Sequence, residues 1–230
     1  MTKINFLFIG IIIVFFHLNV HAQGVKIYQS DGNVMTINYA EIDSVVAFSE
    51  NDVESKKWVD LGLPSGLKWA TRNIGASSPE DYGDYFAWGE SWSKDFFSKF
   101  YSNYGWEMGD ISGDPQHDAA VALWGDGAHV PTETESRELI EHCAITPSMR
   151  NHVRGWLVTG PNGNSIFFPS SGHMIFDSFY CLEQAAYFWI SQPGGDRQNF
   201  FAYILNFSDE GLNLDSIHRF YGCAIRPVRN

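Results

Sequence analysis

The chain has 230 residues, of which 44 % are hydrophobic and only 18 % are charged, a composition typical of a folded protein and not of a disordered one. Its 15 basic residues are outnumbered by 27 acidic ones, giving a net charge of −12. Nucleic acids and anionic lipids are therefore poor candidates as partners, because a polyanion would be repelled by such a surface.

Residues 1–22 have the pattern of a secretory signal peptide. Lys3 supplies the positive charge, an apolar run covers residues 6–16, and Val20-His21-Ala22 precedes a cleavage position at Gln23. A membrane anchor is the alternative, but about 20 apolar residues are needed to span a bilayer as a helix, and this run is shorter. We therefore expect export by a cleaved signal peptide to the periplasm, cell surface or exterior, with no transmembrane segment in the mature chain.

Residues 24–49 form a short β module in this interpretation. Val25 and Ile27 alternate with polar neighbours, residues 30–33 have turn chemistry, an extended pattern resumes at Val34, and a third apolar run covers 45–48. The polar stretch 50–57 is the expected linker. A unit of this size is too small to be stable alone, so it is expected to pack on another surface.

Residues 58–230 form the main domain, which opens with turn-rich sequence and strand-length apolar runs at 67–70 and 85–88. Thr132 and Glu135 form a capping-box pattern at the start of a helix. Leu139 and Cys143 lie on one face of that helix, and Pro147 is expected to end it. A shorter helix is predicted over 118–124.

Strand patterns dominate the second half of the domain. Residues 155–159 and 165–168 flank an Asn162-Gly163 turn, the clearest hairpin in the sequence. Further strands are predicted over 186–191, 200–207 and 222–228, the last closed by Pro227 and therefore suited to an edge. Strands joined by hairpins, with one or two helices, predict an α+β fold built on antiparallel sheets.

Several motifs of the main domain follow one another in the order found in a known family. They are VDLGLPSGLKWATRNIGA at 59–76, EDYGDYFAWGE at 80–90, DAA at 118–120, WG at 124–125, PT at 131–132, VTGPNGNSI at 158–166, YFWIS at 187–191 and GCAIRPV at 222–228. In these motifs the chain resembles the Fibrobacter succinogenes major paralogous domain family over nearly all of 58–229. The front segment resembles a short β module often placed ahead of such domains.

This resemblance implies a variant of the C-type lectin-like fold in a secreted or surface protein, and most members have no assigned activity. The shared tryptophans are interpreted as core residues: Trp69, Trp88, Trp124 and Trp189. Ala128-His129-Val130 departs from the usual Trp-Arg-apolar run, and Cys223 takes an unusual place. Because of both departures, functional residues of the family cannot be assigned directly to positions of this chain.

No catalytic or metal-binding constellation is evident. The six histidines outside the signal peptide lack zinc spacings, and no nucleophile-elbow motif is present. The related formylglycine-generating enzymes bind copper through a close cysteine pair, which this chain lacks. No metal or cofactor is therefore predicted. Three cysteines permit at most one internal disulfide, spacing does not choose the pair, and Cys181 with Cys223 is our candidate, whereas Cys143 is interpreted as a core residue.

The many carboxylates keep a hydrolase as an alternative function, since glycoside hydrolysis needs only two carboxylates at a suitable separation.

Residues 109–114 form a loop with oxygen donors, as a calcium site would need, but without the spacing of an EF-hand. Gln192-Pro193-Gly194 partly matches the lectin-type calcium signature, and we interpret it as a turn.

Aromatic residues crowd the span from Trp92 to Trp106, without a clear secondary-structure period. Exposed, they would form an apolar platform that stacks on sugar rings or anchors a protein. The alternative is that they fill the core beneath a long loop, which avoids exposing so many rings. The candidate ligand-binding residues are Trp92, Tyr101, Tyr104 and Trp106.

The sequence thus predicts a non-catalytic binding domain that recognises a glycan or a protein. The alternatives are a structural or assembly component of the cell surface, in which the front module adds to another chain's sheet, and a carboxylate-dependent hydrolase.

Overall fold

A computed structural model of the chain describes residues 24–28, 34–38, 57–125 and 127–230. The chain divides into two units, residues 1–49 and 50–230. In the first unit, β1 (Gly24–Tyr28) pairs antiparallel with β2 (Val34–Asn38), which confirms the predicted hairpin. The predicted signal peptide, the apolar run at 45–48 and the predicted linker up to residue 56 lie outside the described residues.

The second unit contains two helices and eleven strands among its described residues. They are β3 (Trp58–Asp60), β4 (Lys68–Ala70), α1 (Ala119–Trp124), α2 (Glu133–His142), β5 (Ala144–Arg150), β6 (Val153–Thr159), β7 (Ser165–Pro169), β8 (His173–Ile175), β9 (Ser178–Tyr180), β10 (Ala186–Pro193), β11 (Phe201–Ser208), β12 (Gly211–His218) and β13 (Val228–Arg229). The described strands pair antiparallel, in line with the predicted α+β class. Neither helix is long and apolar enough to cross a membrane, among the residues described.

The strands of this unit form small separate sheets. Two meanders have the orders β10-β11-β12 and β5-β6-β7, and β8 pairs with β9. The sheet β13-β4-β3 joins the two ends of the unit, since Val228 lies opposite Trp69. This pairing closes the domain across most of its sequence length.

Helix α2 begins as predicted but ends earlier. Thr132 and Glu135 form both hydrogen bonds of the capping box. The helix ends at His142, and the Cys143 N–H donates to the carbonyl of Leu139. The predicted stop at Pro147 was wrong, because Pro147 lies inside β5, opposite Trp156. Proline is tolerated there because β5 is the edge strand of its sheet.

Two predicted strands are mostly replaced by single bridges. Residues 85–88 contribute only the bridge from Phe86 to Cys223. Residues 222–228 pair in turn with different segments, Cys223 with Phe86 and Ala224 with Phe188, and become a strand only at Val228. The backbone N–H and carbonyl groups of these two segments therefore form hydrogen bonds with several separate parts of the chain and not with one neighbouring strand. Strands β3, β5, β8, β9 and β12 were not predicted.

The core consists of packed aromatic and aliphatic side chains between these sheets. In one cluster Phe168 stacks on Phe207 at 4.7 Å, with Trp69 and Phe188 close by. A second cluster contains Trp88 and Trp189. Trp69, Trp88 and Trp189 are fully buried as expected.

Trp124 departs from its interpretation as a core residue, since it is only half-buried at the edge of the second cluster. It packs edge-on against Trp58 at 5.5 Å, with the Lys57 ammonium 4.0 Å from its ring centroid.

Candidate functional site

The aromatic segment 92–106 is largely exposed. Phe100 is 81 % exposed, Tyr101 71 %, Trp106 61 % and Trp92 58 %. Phe97 is fully buried, and Tyr104 is half-buried. Phe97 therefore fills the core, as one of the two alternatives expected, whereas most of the other rings in this segment face solvent.

Phe97 fixes this segment to the body of the domain. Its N–H and carbonyl pair with those of Phe176, each N···O distance being 2.8 Å, and its ring packs with Tyr85, Ala87 and Met174. Lys94 closes the segment on itself by donating to Glu90 and to the carbonyl of Tyr101, both at 2.6 Å. The exposed rings are thus carried by a loop with several fixed points.

Two other segments add exposed aromatic residues beside this loop. The β8–β9 hairpin contributes Phe176, whose ring lies 5.6 Å from that of Phe96. Phe200 lies 5.0 Å from Tyr104, and the Gly105 N–H donates to the carbonyl of Asn199 at 2.7 Å. We call these residues together the aromatic face: Trp92, Phe96, Phe100, Tyr101, Tyr104, Trp106, Phe176, Phe179, Tyr180 and Phe200.

Exposed aromatic residues of the described chain all belong to this face. The other large hydrophobic residues that are exposed there, Leu123 on α1 and Met149 on β5, are aliphatic. On most protein surfaces exposed apolar residues occur singly. Exposed rings concentrated on three adjoining segments are instead typical of an interaction surface.

A groove of about 300 Å³ crosses the aromatic face. Its lining is mostly aromatic and contains no carboxylate: Ser98, Lys99, Phe100, Tyr104, Phe176, His218 and Phe220. Of the four predicted ligand-binding residues, Tyr104 lines this groove. Trp92, Tyr101 and Trp106 are exposed on the loop outside its lining.

His218, at the end of β12, supports the wall of the groove. Its Nδ1 lies 3.2 Å from the Tyr104 hydroxyl, and its ring stacks on Phe220 at 5.4 Å. Burial lowers the pKa of His218, which favours the neutral form of the imidazole. His218 therefore adds a polar group to the groove wall.

Arg219 positions the loop that carries Trp106. Its guanidinium lies over the Trp88 ring at 4.1 Å and donates to the carbonyls of Trp106 at 3.0 Å and Phe201 at 3.2 Å. The Trp106 segment is therefore tied to β11 through a buried side chain.

Sequence reasoning missed the contributions of Phe176, His218, Arg219 and Phe220. Two short runs rich in aromatic residues, 176–180 and 218–221, were the available signal. Nothing local in those runs indicates that they fold against the 92–106 loop.

The candidate disulfide is not formed in the structure, where Cys143, Cys181 and Cys223 are free. Cys181 is exposed and Cys223 is fully buried. Burial, followed by the effects of Cys181 and Cys223, raises the pKa of Tyr187 to about 12, which places both thiols in the surroundings of that ring.

The part of the chain that the structure describes contains no group of three or more His, Cys, Asp or Glu side chains that could hold a metal ion. Carboxylates in and beside the loop at 109–114 accept hydrogen bonds from other groups of the protein. Asp110 accepts from the Ser112 N–H and the Gln192 amide, and buried Asp118 accepts the N–H groups of Gly113 and Val130.

No family model, curated protein or solved structure matches this chain in the comparisons with known proteins.

Proposed function

We propose that the chain is an exported, non-catalytic binding domain of the C-type lectin-like class, whose aromatic face recognises a glycan or a protein. The sequence resemblance, the signal-peptide pattern and the antiparallel hairpins with two short helices support this proposal. The observation that carries it is the exposure of nine aromatic residues on three neighbouring segments of the chain.

Burial of these exposed rings by a partner would contribute favourably to the free energy of binding. Complete burial of one large apolar side chain contributes about 1.5–3 kcal/mol. A partner covering a few rings of the aromatic face would therefore gain enough to offset part of the entropy lost on association. The fixed points at Phe97 and Arg219 reduce the ordering needed on binding.

The proposal is tested by applying the purified chain, labelled with a fluorophore, to glycan and protein arrays. For any ligand retained, we expect a Trp92→Ala/Trp106→Ala variant to lose tenfold or more in affinity, since two exposed anchors are removed (about 1.4 kcal/mol per tenfold). A Leu123→Ala/Met149→Ala variant, which removes exposed aliphatic residues elsewhere, should bind as the wild type does. Equal binding by all three proteins would reject the aromatic face as the recognition surface.

An assembly role is the second candidate function. It is favoured by the β1–β2 hairpin, since a two-stranded sheet is marginal by itself and gains stability by adding to another sheet. Proline substitutions at Lys26 and Thr36 would disrupt this pairing. Loss of self-assembly with ligand binding retained would favour the assembly role.

A further inference from the structure

We propose that the outer edge of β12, over residues 214–218, binds an extended segment of a partner protein that carries a lysine or arginine opposite Asp215. We call these residues the β12 edge. The inference goes beyond the proposed function, because it assigns a second binding surface, which meets the groove of the aromatic face only at His218.

The hydrogen bonds of the β11–β12 hairpin show which backbone groups of β12 point away from the sheet. The Arg219 N–H donates to the Phe200 carbonyl at 3.0 Å, one position beyond the last paired residues of the two strands. Bonded and non-bonded pairs alternate along an antiparallel ladder. Leu214, Ser216 and His218 therefore direct their N–H and carbonyl groups outward.

Most of these outward groups have no partner among the residues that the structure describes. Two are occupied, since the Ser216 N–H donates to Asp215 Oδ1 at 2.7 Å and the His218 carbonyl accepts from the Tyr221 N–H at 3.0 Å. The Leu214 N–H and carbonyl, the Ser216 carbonyl and the His218 N–H form no hydrogen bond to a described residue. All three residues are partly exposed, so another strand can approach them.

The other outer edges of the two meanders are closed or interrupted. In β5, Pro147 occupies an outward position and has no N–H to donate. In β7, the Phe167 carbonyl accepts from Arg226 at 3.0 Å. In β10, the Trp189 N–H donates to the Ala224 carbonyl at 3.1 Å. Folded proteins cover or interrupt long edges because such edges pair with other chains, so the open edge of the eight-residue strand β12 indicates a binding surface.

The chemistry of the β12 edge identifies its partner as an extended, basic polypeptide. N–H and carbonyl groups spaced along a strand are matched by the backbone of another strand. The β11–β12 hairpin contains Asp209, Glu210 and Asp215, all exposed, and no lysine or arginine. A residue directly opposite Asp215 on an added strand would have its Cβ atom about 4.5–5.5 Å away, so a basic side chain there would form an ion pair. The same acidic residues disfavour pairing between two copies of β12.

The β12 edge is held in place by the core of the domain. The Leu214 side chain packs against the first core cluster, to which Leu212 also belongs. Leu212 is only 8 % exposed, and the accessible part of the edge therefore begins at Leu214. Because this strand is already ordered, pairing requires ordering of the added segment alone.

The test begins with selection of random nine-residue peptides, displayed on phage, on the immobilised full chain. We expect the retained peptides to contain more lysine and arginine than the unselected library. Methylation of the peptide nitrogens that face β12, in one of the two alternating sets, should weaken binding tenfold or more, because it removes the donors of the added strand.

Hydrogen exchange followed by NMR locates the bound peptide. The N–H groups of Leu214 and His218 have no partner in the free chain, so their exchange should slow tenfold or more when the peptide is bound. The Ser216 N–H already donates to Asp215 and should change less. Slowing confined to residues 92–106 would place the peptide on the aromatic face and overturn the inference.

Two variants test the backbone pairing and the charge separately. Leu214→Pro removes an outward N–H without breaking a bond to β11 and should weaken peptide binding tenfold or more. Met149→Pro makes the same change at an outward position of β5, whose edge Pro147 already interrupts, and should bind as the wild type does. Asp215→Lys should reverse the preference, so that peptides with glutamate in place of lysine bind more tightly. If circular dichroism shows that Leu214→Pro does not fold, the charge reversal and the exchange data decide.

The inference is overturned if no peptide is retained, if folded Leu214→Pro binds as the wild type does, or if Asp215→Lys keeps the preference for lysine. The Trp92→Ala/Trp106→Ala variant separates this inference from the proposed function. It should retain the peptides while losing any ligand of the aromatic face. Loss of the peptides from this variant would reject the β12 edge and leave the proposed function standing.

Discussion

At the scale of single residues, two buried arginines connect distant parts of this domain. Arg226 is fully buried and donates three hydrogen bonds, to Asn73 Oδ1 at 2.8 Å, to the Ala70 carbonyl at 3.1 Å and to the Phe167 carbonyl at 3.0 Å. Its guanidinium also lies 4.4 Å from the centroid of the Phe168 ring. Burial lowers the pKa of Arg226 to about 9 and that of Arg219 to about 10, so both remain charged at neutral pH. Carbonyl dipoles and aromatic faces stabilise these charges where a carboxylate would be the usual partner.

Replacing Arg226 should be severely destabilising. Arg226→Met removes the hydrogen bonds that Arg226 donates to three acceptors, and we expect a loss of about 3–5 kcal/mol in the free energy of unfolding. Arg137→Ala is the control, because Arg137 forms an exposed ion pair with Glu133 and should cost less than about 1 kcal/mol. Urea unfolding followed by tryptophan fluorescence measures both. A loss below about 1 kcal/mol for Arg226→Met would show that the network contributes little.

His129 and Glu135 form an ion pair with a defined pH range. Their Nε2 and Oε1 atoms lie 2.9 Å apart. Burial alone would lower the pKa of His129, but Glu135 outweighs it and raises that pKa above 6.5. Burial alone would raise the pKa of Glu135, but His129 and Thr132 lower it below 4.5. The His129 contribution is therefore lost as pH rises through its folded pKa, and the Glu135 contribution is lost as pH falls through its own.

We expect the stability difference between the wild type and His129→Gln to be largest between pH 4.5 and 6.5. In that range His129 and Glu135 are both charged, in the folded chain and in the unfolded chain. The effect should be about 1 kcal/mol, because the pair is partly exposed. It should shrink above the folded pKa of His129. Thermal unfolding across pH 4–9 checks this, and a difference independent of pH would contradict it.

At the scale of elements, local chemistry explains the helices better than the strands. Asp118 caps α1 by accepting from the N–H groups of Ala120 and Val121, and Thr132 with Glu135 caps α2. Such caps depend on residues within one turn and are visible in sequence. Strand β12 has a weaker local pattern, and its residues pair with β11 along its whole length only in the folded domain.

Removing the cap of α2 should have a measurable cost. Thr132→Ala removes the side-chain acceptor for the Glu135 N–H and should lower the free energy of unfolding by about 1 kcal/mol. Thr134→Ala changes the same residue type two positions later, at an exposed site inside the helix, and should be neutral or slightly stabilising. Chemical denaturation distinguishes the two, and equal effects would reject the capping explanation.

At the scale of the whole molecule, the aromatic face and the acidic charge act in opposite directions. The exposed rings favour self-association, and the net charge of −12 opposes it at neutral pH. Salt screens this repulsion, since the Debye length falls from about 10 Å at 0.1 M to about 3 Å at 1 M.

Raising the salt concentration should therefore increase the apparent mass of the purified chain in light scattering. A Phe100→Ser/Trp106→Ser variant should respond less, because it lacks two of the most exposed rings. Leu123→Ser/Met149→Ser is the matched control and should respond as the wild type does. The same response from all three proteins would place the self-association surface elsewhere.

The sequence by itself determined the antiparallel α+β character, the β1–β2 and β6–β7 hairpins and the start of both helices, because turns, caps and alternation are properties of neighbouring residues. It also drew attention to the 92–106 aromatics, without deciding how many are exposed.

Only the tertiary structure decided that Phe97 turns inward while Phe100 and Trp106 face solvent, and that Phe176 and Phe220 complete a groove with Tyr104. Those outcomes depend on contacts between segments far apart in the chain, such as Phe97 with Phe176 and Gly105 with Asn199. Burial is a property of the packed molecule, so a ring's own neighbours in sequence do not fix it.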